Sequence, residues 1–518
     1  MKKFLSQNLF FSIFLVSLFI IVSFSLYYFS HGLNVMYGDA RAHLNIARRV
    51  MDSTNPGMAQ LGGIWLPLLH FLMLPTIGID FFWHSGLSGA IVNISAFLVS
   101  VYFIYKIGRL FFDNKIIILI VPFFYLTNPN LIYMSTTPMT ESLFIATITG
   151  AYYYLLKWLK DEDVPTLIKA ALFFLLSSIN RYEGWTLAFA AFIIVGIATF
   201  IRKKSAKKIE SNLILFGSLA FIGIFLWLIW QITIFGDPLY FMKSMYSSKL
   251  QTTAGFQVEN SQSAILANNF PLSALANFYS ILENDGGGLI VVGLVGILVG
   301  VVELIKSFKN KRKLYALIVP VILTPYLFLT YAVYKGQVPL LVPQINHGTF
   351  NIRYGLYLLP SLTILSLILV RSISKKPAMR ILLLSTIILT QLFLFLPSFL
   401  NPITLQAGNE GIELKVQAAH WIGRNYKNGN VLASSATGDP LLFDSGLHLK
   451  EFITDGSNTV IQSALAQPEK YAKYVVISRE FVDSKRDIVN LRINRDSLKN
   501  NYSLKFRNKV FDIYVRNK

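Results

Sequence analysis

The 518-residue sequence contains no cysteine. Disulfides, thiolate metal sites and cysteine nucleophiles are therefore excluded. Charge is also scarce. Only 14% of residues are Asp, Glu, Lys or Arg, against 54% hydrophobic, and the mean hydropathy is +0.52. A soluble chain of this size needs far more polar surface. Acidic residues are the rarer sign, 27 against 47 Lys and Arg, for a net charge of +20. Such a balance invites a nucleic-acid partner, but the placement of the basic residues argues otherwise. No repeat of fixed period is visible, nor a pair of matching halves with broken helices of the kind many secondary transporters show.

What the sequence does have is apolar runs of about 17–25 residues, the length that crosses a bilayer. They fall near 8–29, 86–105, 116–128, 141–158, 167–180, 185–201, 212–234, 288–306, 314–333, 354–370 and 379–400. The third and fifth are short enough to be buried or re-entrant. The first, Leu9 to Phe29, lacks the small-residue exit site of a cleaved signal peptide. Lys and Arg cluster in every second loop: Lys106 and Arg109, Lys157 and Lys160, Arg202 to Lys204, Lys311 to Lys313, and Lys375 to Arg380. This is the asymmetry of cytoplasmic loops. It favours eleven full crossings of the plasma membrane with a cytoplasmic N-terminus. The positive charge then reports topology and contact with membrane lipids, not nucleic acid.

On that topology residues 30–85, 235–287 and 334–353 form external loops, and the fold divides into a polytopic helical domain (1–400) and an extracytoplasmic α/β domain (401–518). In the tail, "ELKVQAAHWIGRNY" has helical periodicity, while "YVVIS" and "FDIYV" read as strands. In the first external loop, "DARAHLNIARRVMDS" has helical spacing and "GGIWLPLLHFLMLP" is half a span long. Both read as helices lying at the membrane surface.

Ionisable residues at span edges are costly and mark candidate functional sites. They gather at one level, the predicted outer interface: Asp39 after the first span, Glu141 in "STTPMTESLF", Arg181, Tyr182 and Glu183 in "SSINRYEGW", Asp237 in "FGDPLY", and Arg353 with Tyr354 in "NIRYGLYLLP". Apart from Glu303 the spans are almost free of charge at mid-depth. A transport path needs polar groups through the membrane, whereas a ring at one face suits chemistry on an interfacial substrate. Arg41 and His43 crowd onto the turn after Asp39. His43, four residues on, shares its helical face and is expected to orient it; Asp39, Glu141 and His43 could also hold a divalent cation. His70 is either an interface histidine or part of the same site. "DED" at Asp161 to Asp163 and "DGGGLI" at Asp285 read as a solvated turn and a flexible loop.

These segments together resemble the GT-C superfamily of integral membrane glycosyltransferases, in particular the branch of protein mannosyltransferases and lipid A aminoarabinose transferases. "DARAHLNIARRV" is similar to the family's first external helix, and "SGLSGAIVNISAFLVSVYFIYKIGRLFFDNK" to its second span and the turn after it. "LTNPNLIYMSTTPMTESLF" resembles the region of the family's second acid, at Glu141, while "NRYEGW" and "RYGLYLLP" look like its later Arg turn and Arg-Tyr-Pro segment. Ala40 stands where the family usually has a further acid, Arg41 is displaced by one position, and the Trp-Trp-Asp motif of oligosaccharyltransferases is absent. The resemblance implies a hexosyl- or pentosyltransferase with a polyprenyl-phosphate-linked monosaccharide as donor, an acceptor that is a protein, lipid or glycan, inverting transfer and no required cofactor. Asp39 would serve as base with Glu141 beside it, and Arg181 and Arg353 would bind phosphate. Arg41, His43, His70, Tyr182, Glu183 and Tyr354 would line the substrate site. A lipid or polysaccharide transporter, or a membrane scaffold, is the alternative; an outer-face cavity lined by Asp39, Glu141 and Arg353 discriminates between them.

Overall fold

The computed structural model describes residues 2–244, 246–256, 264–408, 412–455 and 460–517. Among these residues eight helices are long and apolar enough to cross a membrane: Leu9–Ser30, Leu87–Phe111, Glu183–Ile201, Ala206–Phe235, Gly287–Ser307, Lys311–Tyr334, Ile352–Ile373 and Pro377–Ser398. The chain is a multi-pass, mostly helical membrane protein. The other three expected spans are helical too, but differently built. Lys115–Leu126 is interrupted at Pro122, and Val164–Ser178 has 15 residues. At 1.5 Å per residue each falls short of a bilayer core about 30 Å thick. Glu141–Asp161 has 21 residues and is buried on nearly every side, packed between Leu87–Phe111 and Val164–Ser178. It is the central helix of the bundle, and its N-terminus carries Glu141.

The loop after the first span folds as its periodicity predicts. Gly38–Arg49 and Leu68–Ile77 are helices that pack against each other. Asp39 lies in the first turn of Gly38–Arg49, and Arg48 and Arg49 in its last, the arrangement that complements the helix dipole.

The C-terminal part holds a five-stranded sheet of order β2-β1-β3-β5-β4: β1 is Val431–Leu432, β2 Phe452–Ile453, β3 Tyr474–Ser478, β4 Tyr502–Arg507 and β5 Phe511–Arg516. The first three strands are parallel; β3, β5 and β4 pair antiparallel. The central strand β3 is buried along its whole length, as a strand covered on both faces must be. Its alternate residues serve two cores. Val475 and Ile477 pack with Leu432, Ala464 and Val489. Tyr474 and Val476 belong to a cluster that continues into Leu44, Ala47, Leu69 and Trp83 of the first loop. The sheet thus shares a hydrophobic core with the first loop and sits on the same side of the bundle. Polar bonds reinforce this seam. Arg41 donates from Nε to Asp444 at 2.7 Å, Asn45 donates to Asp439 at 3.0 and 3.1 Å, and Asp52 accepts from the backbone of Leu449 and Lys450.

Candidate active site

Four segments distant in sequence bring their charges together where the bundle meets the first loop. Arg353 opens the Ile352–Ile373 span, and its backbone is held firmly. Asn284 donates to the Ile352 carbonyl at 2.7 Å, and Asn351, in the left-handed region at φ 54°, donates to the Pro339 carbonyl at 2.9 Å. Asn tolerates that conformation better than most residues. At Gly355 a Cβ would run into the Ser280 carbonyl, so only glycine allows the approach.

So placed, Arg353 joins the two acids. Its Nη2 donates to Asp39 Oδ2 at 2.7 Å and its Nε to Glu141 Oε1 at 3.0 Å; neither bond uses Nη1. Glu141 is fully buried and also accepts from Tyr357 at 3.3 Å, with Arg181 at 3.5 Å. Its Oε2 has no partner. Asp39 is more open, its side chain 44% exposed against 5% for that of Arg353. The guanidinium of Arg353 lies 4.8 Å from the Tyr37 ring and 5.1 Å from that of Tyr354. A buried carboxylate and guanidinium each lose several kcal/mol of hydration, so this knot persists only because its geometry is nearly complete.

Arg181, for which the resemblance implies a phosphate contact, meets protein groups in this structure. It binds Glu183 at 3.1 Å and Thr140 Oγ1 at 2.7 Å, and lies 4.9 and 4.8 Å from the rings of Tyr354 and Tyr357. Its fork is occupied by protein, and it buttresses Glu141 from behind. Tyr182 donates to the Ile64 carbonyl at 2.7 Å, tying the span to the first loop. Arg41 turns to Asp444 and to the carbonyls of Val35 and Met36, so it fastens the C-terminal sheet. His43 shares a face with Asp39 as its spacing requires, but its hydrogen bond goes to His70 at 2.9 Å and its ring packs 4.7 Å from Trp65. Burial, with Arg181 and Arg353 nearby, pushes the His43 imidazole down to about 3, and burial likewise lowers His70. Both are neutral at physiological pH. Among the described residues no group of three His, Asp or Glu side chains is placed to hold a metal ion. Asp39 and Glu141 are both joined to Arg353, so the expected Asp39–Glu141–His43 cation site is not assembled.

Above this knot lies a cavity of about 410 Å³. Tyr37, Asp39 and Arg353 line its floor; Glu141 does not line the cavity and is joined to it through Arg353. Trp65, Phe235, Tyr240 and Tyr246 add aromatic rings to the lining, and Arg49, Ser435, Asp439, Asp455 and their neighbours, termed the roof, complete it. Sequence reasoning passed over the neutral members, Tyr37, Thr140 and Tyr357, and all of the roof.

The architecture is a multi-pass bundle with paired charges at one face and a sheet-bearing cap. No protein-family model and no curated protein sequence matches the chain. Solved structures do match. ArnT of Cupriavidus metallidurans, solved bound to undecaprenyl phosphate, superposes with a TM-score of 0.56 at 9% identity, over 98% of this chain and 97% of that one. The oligosaccharyltransferase of Archaeoglobus fulgidus matches with a TM-score of 0.52 at 10% identity in its apo form, over 91% of this chain and 70% of that one. The same enzyme tethered to an acceptor peptide matches with a TM-score of 0.52 at 11% identity, over 98% and 74%. At such identities the likeness is one of fold, and the fold is the one the sequence resemblance implied.

Proposed function

We propose that the protein transfers a monosaccharide from a polyprenyl-phosphate-linked donor to an acceptor hydroxyl at the outer face of the membrane, with inversion. The observation that supports this most is the Asp39–Arg353–Glu141 chain at the cavity floor, at the mouth of an apolar span where a lipid-linked phosphate can reach. The undecaprenyl phosphate bound by ArnT fits the same reading.

The division of labour follows from the contacts. Arg353 Nη1, which neither acid engages, is placed for a phosphate oxygen, and guanidinium suits such contacts. A phosphate drawing Arg353 toward itself loosens the pair with Asp39. The freed carboxylate then accepts the proton of the attacking hydroxyl, the usual task of a positioned base. The bond from the sugar to the phosphate breaks as the acceptor oxygen attacks from the opposite face. The phosphate leaves as an anion that needs charge stabilisation rather than a proton. Glu141, held by Arg181 and Tyr357, fixes Arg353 and takes no proton itself. Arg181 is thus a positioning residue.

The test is a panel of undecaprenyl- and dolichyl-phosphate monosaccharides offered to purified protein in nanodiscs, with simple glycosides and Ser/Thr peptides as acceptors. Release of the polyprenyl phosphate coupled to a new glycosidic bond is the expected result. No release from any donor, with the carrier lipids binding no better than neutral lipid, overturns the reading.

A further inference from the structure

The cavity roof carries charges that the proposed mechanism leaves idle. Arg49, in the last turn of the Gly38–Arg49 helix, is only 7% exposed and lines the cavity. Its Nε and Nη1 have no hydrogen-bond partner. A buried donor left unmatched is costly, and a ligand that supplies the acceptor recovers that cost. Asp439 and Asp455 line the same cavity and act on Arg49 through space. Their hydrogen bonds go elsewhere: Asp439 accepts from Asn45, and Asp455 from Ser435 and Tyr246. Cation and anions face the same space without closing on each other.

Their origin in the sheet matters. The carboxyl ends of the parallel strands open onto the cavity: β1 leads into Ser435 and Asp439, and β2 into Asp455. In open α/β sheets this is where ligands bind.

The ligand's chemistry follows from the mixture. The other charges lining the cavity are balanced: Arg353 holds Asp39, Lys415 holds Glu480 and Asp483, and Arg486 lies in the field of Asp483 and Asp39. Beside Arg49, Asp439 and Asp455, a lone anion is repelled by the two aspartates, and a lone cation by Arg49. A neutral ring bearing several hydroxyls suits both, since each hydroxyl can donate to a carboxylate and accept from a guanidinium. Trp65, Tyr240 and Tyr246 add aromatic faces beside it. An extended peptide, by contrast, binds a sheet through an open edge, and here the strands present their ends.

We propose that Arg49, Asp439 and Asp455 form a saccharide subsite that holds the acceptor's sugar ring above Asp39, so that the acceptor is a glycan or glycoside. Calling this ring the acceptor rests on the glycosyltransferase reading; the binding of a saccharide does not.

The experiment is saturation-transfer NMR on the full-length protein in nanodiscs, with methyl glycosides and cellobiose as probes, Ser/Thr tripeptides as the contrast, and undecaprenyl phosphate binding measured on the same samples. Wild type should show glycoside signals that fall at least tenfold in Arg49→Gln and in Asp455→Asn, with carrier-lipid binding retained. Should Arg49→Gln fail to fold, the near-isosteric Asp455→Asn still gives the reading. Glycoside signals indifferent to both changes, no glycoside signal in wild type, or a tripeptide signal lost in the variants would each overturn the subsite. So would loss of carrier-lipid binding in both variants, which would assign the roof to the donor phosphate. Glycoside binding without turnover of any polyprenyl-phosphate donor supports the subsite and counts against the transferase reading alone.

Discussion

The floor and the roof of the cavity are both charged, yet they are built on opposite plans. On the floor every charge has an ion-pair partner, with only Glu141 Oε2 and Arg353 Nη1 outside those bonds: Arg353 holds Asp39 and Glu141, and Arg181 holds Glu183 and Thr140. On the roof Arg49 keeps two unmatched nitrogens, and burial pushes the Asp455 carboxyl up to about 6. A network of ion pairs fixes atoms in place, which suits chemistry. An open one leaves bonds for something else to make. In this account the floor is the reacting centre and the roof a recognition surface.

Breaking the floor should have the largest effect. Arg353→Ala leaves Glu141 fully buried with Arg181 at 3.5 Å as its remaining cation. Removing one partner from a buried pair costs about 3–5 kcal/mol, so a large fall in thermal unfolding temperature is expected together with loss of donor binding. Arg353→Lys should recover only part of each, because a single ammonium cannot reproduce a planar fork spanning two acids.

Next comes the seam between the two regions. Arg41 and Asp444 have side chains 7% and 14% exposed. Arg41→Ala strands Asp444 and the carbonyls of Val35 and Met36, for an expected loss of about 1–3 kcal/mol. Hydrogen exchange should rise in the sheet and in the Gly38–Arg49 helix together, since they share a core. A rise confined to the helix would show that the cap does not depend on the seam.

A smaller, pH-dependent effect is expected from Asp455. Its folded carboxyl is raised from 3.8 to about 6, so between these values the folded state binds more protons than the unfolded. Stability from this group therefore falls as pH rises through that window and is lowest above it. Asp455→Asn should remove the slope and raise the unfolding temperature at pH 7 more than at pH 4. An equal shift at both values would mean that the carboxyl does not titrate in this window.

How much of this was legible in the sequence depends on the cost of each residue's position. Asp39, Glu141, Arg181 and Arg353 stand out because charge at the end of an apolar run is expensive. Their partners Tyr37 and Tyr357 do not, since aromatic residues are common at membrane interfaces whatever their task. Helical spacing placed His43 on the face of Asp39 correctly. Spacing names a face, not a partner, and His70 came from another helix. Arg181 and Arg353 looked alike in sequence; the side chains folded around each, which composition does not record, separate them, with the fork of Arg181 filled by Glu183 and Thr140 and the Nη1 of Arg353 engaged by neither acid. The roof was invisible for a further reason. Asp439 and Asp455 follow strands of only two residues, too short for any alternation to show. Likewise the central Glu141–Asp161 helix has the length of a span but is surrounded by protein rather than lipid, a difference that hydropathy alone does not register.

The claim that the floor carries the chemistry is tested most directly at Asp39, by single-turnover transfer measured beside donor binding in one preparation of wild type and Asp39→Asn. Asn keeps the size of Asp and can still hydrogen-bond, but it cannot accept the hydroxyl proton. The transfer rate should fall at least ~100-fold, the lower end of general-base contributions, while donor affinity and the unfolding temperature stay close to wild type. Near-normal turnover in Asp39→Asn would contradict that claim and move the base elsewhere in the cavity.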